Sequence, residues 1–278
     1  MPQSLNVLVT GASSGIGRAT ALEFAARGHA VFAAARRVDP LEELAASGER
    51  IAAVPMDVTE AESVRRARAR VDELTAGHGV DVLVNSAGYA LGGPVEALSS
   101  EAVRHQFETN VFGLLDVTRA FLPQMRERGS GRIVNVSSVV GRVAFPGMGV
   151  YAATKFALEA LSDALRMELA PFGVGVVLIE PGFVRTDIGA GSARQAADFE
   201  LTPDGYEELI AKTSDFVAKQ VAENGIAPEA VARLIADAGE AGSPRARYLM
   251  PASSKLLVGL MTTLPDRAAD RAKRVALR

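Results

Sequence analysis

The sequence predicts an α/β protein, a doubly wound parallel sheet of about seven strands with helices on both faces. Three observations predict it. Apolar runs of four to seven residues alternate with longer helical patterns almost from end to end. The early runs are apolar at consecutive positions, as both-sided burial of a parallel strand requires. A glycine cluster stands where the first run hands over to the first helical pattern.

Strands are expected at Leu5–Thr10, Ala30–Ala35, Ile51–Pro55, Val80–Val84, Arg132–Val136, Val174–Glu180 and Arg247–Met250. Helices are expected at Gly15–Arg27, Thr59–Thr75, Ser100–Arg128, Tyr151–Pro171 and Pro228–Ala238, with Gly28, Gly129 and Gly173 placed to stop them. No linker or low-complexity segment interrupts the rhythm, so residues 1–278 read as a single domain. Two regions depart from it. Residues 188–225 form a long insertion where this architecture places a substrate lid, with Gly189, Gly191 and Ser192 as a hinge and Tyr206–Val221 as an amphipathic helix. Residues 252–278 form a tail of two short helices, the first apolar and the second rich in arginine, which could border the entrance, dock on a subunit or touch a membrane surface.

Composition narrows the function. A net charge of −3 gives no field for nucleic acid, and the absence of cysteine removes disulfides and thiolate chemistry. Three scattered histidines, His29, His78 and His105, offer no metal cage, and no metal is expected. No apolar run approaches the roughly 20 residues of a spanning helix, and the first strand begins too early for a signal peptide, so a cytoplasmic protein is expected.

The turn Thr10-Gly11-Ala-Ser-Ser14-Gly15-Ile16-Gly17 is spaced Gly-x3-Gly-x-Gly in the first strand–helix connection. Small residues let backbone approach a pyrophosphate there, and the helix N-terminus supplies donors. No Gly-Lys-Ser/Thr follows, which excludes a Walker A loop. At the end of the second strand, Ala35 stands where a carboxylate would select NAD, and Arg36 and Arg37 follow. A guanidinium clamps a 2′-phosphate, so NADP(H) is preferred over NAD(H). Asp57 could accept from an adenine amino group or cap the turn at Thr59. Tyr151 and Lys155 share one helix face a turn apart, a spacing at which an ammonium can lower a phenol pKa for acid–base work. Ser138, thirteen residues before Tyr151, could face that phenol and bond a carbonyl substrate.

Taken together, Thr10–Gly17, Asp57-Val58, Asn85-Ser-Ala-Gly88, Asn110, Ser138, Tyr151-x3-Lys155 and Pro181-Gly182 resemble the short-chain dehydrogenase/reductase family in order and spacing, over about residues 5–187. Ser86 departs from the Asn or Ala common there. The resemblance implies a Rossmann-like fold and hydride transfer between a nicotinamide and a carbonyl or alcohol carbon. It implies that Tyr151 exchanges the proton, Lys155 lowers its pKa and holds the nicotinamide ribose, and Ser138 orients the substrate oxygen. Asn110 would break its helix and position a water beside Lys155. Asn85 and Gly88 would line the adenosine ribose, and Thr186 would bond the carboxamide beyond Pro181 and Gly182. It also implies a homodimer or homotetramer through the Ser100–Arg128 and Tyr151–Pro171 helices.

Phe145, Phe183, Ile188 and Phe199 near the lid suggest an apolar small-molecule substrate: a steroid, a retinoid or a long-chain ketone or aldehyde. A 3-oxoacyl-thioester reductase is the competing enzyme, for which only Arg142, Arg185 and Arg194 could form the basic mouth. A non-catalytic NADP(H)-binding regulator is the competing class, though such a protein has no use for the Tyr151, Lys155 and Ser138 set.

Overall fold

Each short apolar run becomes a strand of one parallel sheet. The computed structural model describes residues 4–186 and 205–276. The strands are β1 (Asn6–Thr10), β2 (Ala30–Ala35), β3 (Ile51–Pro55), β4 (Val82–Asn85), β5 (Gly131–Val136), β6 (Val174–Pro181) and β7 (Arg247–Met250), in the order β3-β2-β1-β4-β5-β6-β7. The chain winds outward from β1 in one direction, then restarts at β4 in the other. That reversal opens a crevice at the carboxyl ends of β1 and β4.

The helices are α1 (Gly15–Ala26), α2 (Val38–Ala46), α3 (Ala61–Leu74), α4 (Ser100–Phe107), α5 (Gly113–Arg128), α6 (Gly149–Leu169), α7 (Glu207–Asn224), α8 (Pro228–Glu240), α9 (Ser253–Thr263) and α10 (Asp266–Ala276). Val7 and Val9 pack on one face with Phe24 of α1, Leu41 and Leu44 of α2, and Val231 and Ile235 of α8. Leu8 packs on the other with Val64 and Val71 of α3, and Phe121 and Met125 of α5. Adjacent residues of β1 thus serve opposite cores, the reason its apolar residues are consecutive.

Two elements differ from expectation. No helix is expected between the second and third strands, yet α2 forms there. Pro40 falls in the first turn, where its missing N–H costs nothing. The expected single helix over Ser100–Arg128 is instead α4 and α5 joined by a π turn at Glu108–Phe112. The lid helix is present as α7, and the tail as α9 and α10. Gly189, Gly191, Ser192, Ile188, Phe199 and Arg194 lie outside the described residues.

Candidate active site

A cavity of about 1360 Å³ occupies the crevice, with the glycine turn along one wall and α7, α9 and α10 along another. At the glycine turn the backbone dictates the sequence. Gly11 and Gly15 have φ of +69° and +54°, where side chains are strained. A Cβ on Gly17 would run into the Gly11 carbonyl, and one on Gly11 would lie 2.9 Å from Ala87 Cα. The turn is therefore pressed against the end of β4, and Thr10 fastens the two: its Oγ1 accepts from the N–H groups of Ser86 and Ala87, both at 3.0 Å. Sequence reading gave Thr10 no role beyond its place in the motif. Ser14 precedes α1 without capping it by its side chain, which leaves the hydroxyl and the first-turn N–H groups facing the cavity wall that Ser14, Gly15, Ile16 and Gly17 form.

Arg36 and Arg37 line the same cavity beside Asp57 and Val58. Arg37 Nη2 donates to Ser13 Oγ at 3.0 Å, and Arg36 Nε stands 3.9 Å from Asp57 Oδ2. Asp57 Oδ1 accepts from the backbone N–H and the hydroxyl of Thr59, at 2.9 and 2.7 Å, so one oxygen holds the turn into α3 and the other faces Arg36. Glycine turn, helix N-terminus and paired guanidiniums are a donor set suited to a phosphorylated dinucleotide.

Ser138, Tyr151 and Lys155 meet on the cavity wall. Ser138 follows β5, its Oγ 3.4 Å from the Pro181 carbonyl at the end of β6, and Tyr151 and Lys155 lie in the first half of α6. The expected lowering of the Tyr151 pKa is not found in the protein alone. Burial pushes the phenol up to about 12, opposed by its hydrogen bond with Ser138. Lys155 Nζ donates to the Val136 carbonyl at 2.9 Å and sits 5.8 Å from the Tyr151 ring centre. Burial pushes Lys155 itself down to about 8, with the Glu159 charge acting the other way.

Asn110 sits in the π turn beneath the cavity, 1% exposed. Its Nδ2 donates to the Tyr89 carbonyl at 2.9 Å and to Thr154 Oγ1 at 3.1 Å, and its Oδ1 accepts from the Tyr89 N–H at 3.1 Å. The side chain thereby fixes the strand end Gly88-Tyr89 against α6. A Cβ on Gly88 would approach Asn110 Oδ1 to 3.0 Å and Lys155 Nζ to 3.9 Å, so the glycine keeps the space between them clear.

Asn85 is a correction. It does not line the cavity: its Nδ2 donates to Thr118 Oγ1 and Asn135 Oδ1, at 3.1 and 2.9 Å, in the core below β4. Strand alternation turns Asn85 inward, while Gly88, three residues on, reaches the cavity. Pro181, Gly182 and Thr186 do line it.

Sequence reading also missed a buried ion cluster behind the serine. Glu180 Oε1 lies 3.3 Å from Arg247 Nε and 3.4 Å from Arg142 Nη1, and Arg247 reaches Glu159 at 3.0 Å and Asp163 at 2.6 Å. Its members run from Arg142 to Arg247 in the sequence, and no motif links them.

Sheet order, switch point and glycine turn define a Rossmann-like nucleotide-binding architecture. A family model for short chain dehydrogenases matches residues 5–197, and the chain belongs to that family, the short-chain dehydrogenases/reductases. It is 37% identical over 268 residues to the uncharacterized oxidoreductase YbbO of Escherichia coli K12, covering 96% of this chain and 93% of that one. It is 33% identical to an NADPH-dependent 3-dehydrocapnine reductase of Ornithobacterium rhinotracheale, over 95% and 94% of the two. A solved short-chain dehydrogenase from Streptomyces avermitilis superposes with a TM-score of 0.81 at 37% identity, over 93% and 92% of the chains. One from Burkholderia phymatum, in complex with NAD, gives 0.81 at 29% identity over 93% of each.

Proposed function

We propose that this oxidoreductase interconverts a carbonyl and an alcohol on an apolar substrate with NADP(H), within one catalytic domain spanning residues 1–278. One observation carries the reading: a single cavity joins the glycine turn and Arg36 to Ser138 and Tyr151, then continues over Val143, Phe145, Phe183, Phe216 and Met261. When bound, the nicotinamide supplies or accepts the hydride. Arg36 and Arg37 hold the 2′-phosphate, and Gly11 to Gly17 admit the pyrophosphate. Ser138 orients the substrate oxygen. Tyr151 gives that oxygen its proton, or takes it in the reverse direction, and Lys155 stabilises the phenolate left behind. The Ornithobacterium relative's name, with its NADPH, supports the cofactor. The thioester alternative loses support because Arg142 is paired with Glu180 and Arg185 donates to the Gly225 carbonyl.

The test is NADPH oxidation with steroid ketones, retinal, long-chain aldehydes and an acetoacetyl thioester, run beside NADPH binding by fluorescence. Tyr151→Phe is expected to lose about 10²- to 10⁴-fold in kcat while binding NADPH unchanged. A variant that retained its rate would remove Tyr151 from the chemistry. Tight NADPH binding without turnover of any compound would favour the regulatory reading.

A further inference from the structure

The C-terminal tail carries two surface features that cofactor and proton chemistry leave unused. First, α9 turns Leu256, Leu257 and Leu260 outward at 80%, 50% and 49% exposure, while Val258 is buried beneath them. Leu257 also lines the cavity with Val258 and Met261. The exposed apolar face therefore adjoins the cavity mouth and shares a residue with it. Exposed apolar surface of this kind, rimmed by charge, marks an interaction site.

Second, the tail is basic in an acidic protein. Residues 252–278 hold six basic and two acidic side chains, against a net charge of −3 for the whole chain. Arg267, Arg271 and Arg274 are all exposed on α10 and fall four and three residues apart, a single helical row.

We propose that α9 and α10 seat this protein on an anionic lipid surface, the leucines entering the acyl boundary and the arginine row meeting the headgroups. The cavity mouth then opens at the bilayer, so that apolar substrate enters from lipid rather than from water. The combination of apolar and basic faces is what interfacial helices use, and juxtaposed arginines favour anionic lipid. A second copy of this chain suits the surface less well, because a two-fold contact through the tail would set the same positive row against itself. Among the described residues no helix is long and apolar enough to cross a membrane, so the attachment is peripheral and weakens with salt.

The experiment is co-sedimentation of the full-length protein with vesicles of phosphatidylcholine, alone or mixed with phosphatidylglycerol. Binding is expected to the mixed vesicles, at least about tenfold weaker to the neutral ones, and reversed by salt. Two double variants, Leu256→Glu with Leu260→Glu and Arg267→Glu with Arg271→Glu, are each expected to bind the mixed vesicles at least about tenfold more weakly. Both should keep the wild-type circular dichroism and urea midpoint, which shows that they fold. No sedimentation of the wild type, or undiminished sedimentation of both variants, would overturn the proposal. So would a wild-type oligomer that light scattering finds dissolved by the leucine variant, since a second copy would then own the surface. Vesicle binding needs no cofactor, so this outcome is independent of the catalytic reading.

Discussion

Lys155 is an ammonium held where water is scarce, and its energetics can be separated from its catalysis. Burial brings it to about 8 from 10.5. Between those values the unfolded chain binds more protons, so the wild-type protein gains stability as pH rises from 8 to 10.5, and the full cost is present below 8. Lys155→Met removes that cost but orphans the Val136 carbonyl. The expected balance is a gain of about 1–2 kcal/mol at pH 7, shrinking toward pH 10.5, with turnover lost. Urea midpoints at the two pH values check it, and a variant destabilised at pH 7 would contradict the burial argument. Arg36 and Arg37 allow a second test at this scale. Replacing both with Ala should raise KM for NADPH about 10- to 100-fold, the worth of charge-assisted bonds at roughly 1.5–3 kcal/mol, and leave KM for NADH nearly unchanged. Equal losses for both cofactors would mean that the guanidiniums support the loop rather than read the phosphate.

Among the elements, the π turn between α4 and α5 is held by one side chain. Asn110 satisfies both the N–H and the C=O of Tyr89, which follows β4, and ties them to Thr154 of α6. Asn110→Leu leaves the buried Tyr89 N–H without its partner, at roughly 1–3 kcal/mol, while the Tyr89 carbonyl keeps the bond from Gln106 Nε2 at 3.2 Å. A loss of about 1–3 kcal/mol in urea unfolding is expected, together with reduced NADPH affinity because Gly88 lines the cavity. Thr154→Val, which removes one partner of the same amide, should cost only about 1 kcal/mol. If both variants were equally mild, the turn would be held by α5 packing instead. The sequence reads as one helix throughout Ser100–Arg128, since no glycine or proline stands within Glu108–Phe112 to mark a break. The interruption becomes visible only when the backbone hydrogen bonds are followed.

At the scale of the whole molecule, Phe112, Phe156, Met167 and Phe172 are 49%, 45%, 65% and 40% exposed on the π turn, on α6 and just beyond it. We propose that these residues are covered by a second copy, giving a homodimer or homotetramer. Light scattering at micromolar concentration should find the oligomer, and Phe112→Glu with Phe156→Glu should shift it toward monomer, one buried aromatic being worth roughly 1.5–3 kcal/mol per subunit. A strict wild-type monomer would end that proposal.

The sequence by itself determined the strands to within a residue or two, the switch-point turn and the Tyr151–Lys155 face. Each of these is local: consecutive apolar residues, left-handed glycines and a four-residue helical spacing need no distant partner to be read. The spacing to Tyr151 picked out Ser138, and family resemblance added Asn110, which composition could not single out. Only the tertiary structure decided that Asn85 faces the core, that Thr10 clamps the glycine turn to β4, and that Tyr151 is buried deeply enough for its phenol to be pushed up. It also decided that the tail borders the same cavity as residues near the N-terminus. Those outcomes depend on which side of a strand faces inward, how far two elements stand apart, and how much water remains between them. Such distances are set by packing across the sheet, between residues many positions apart in the chain.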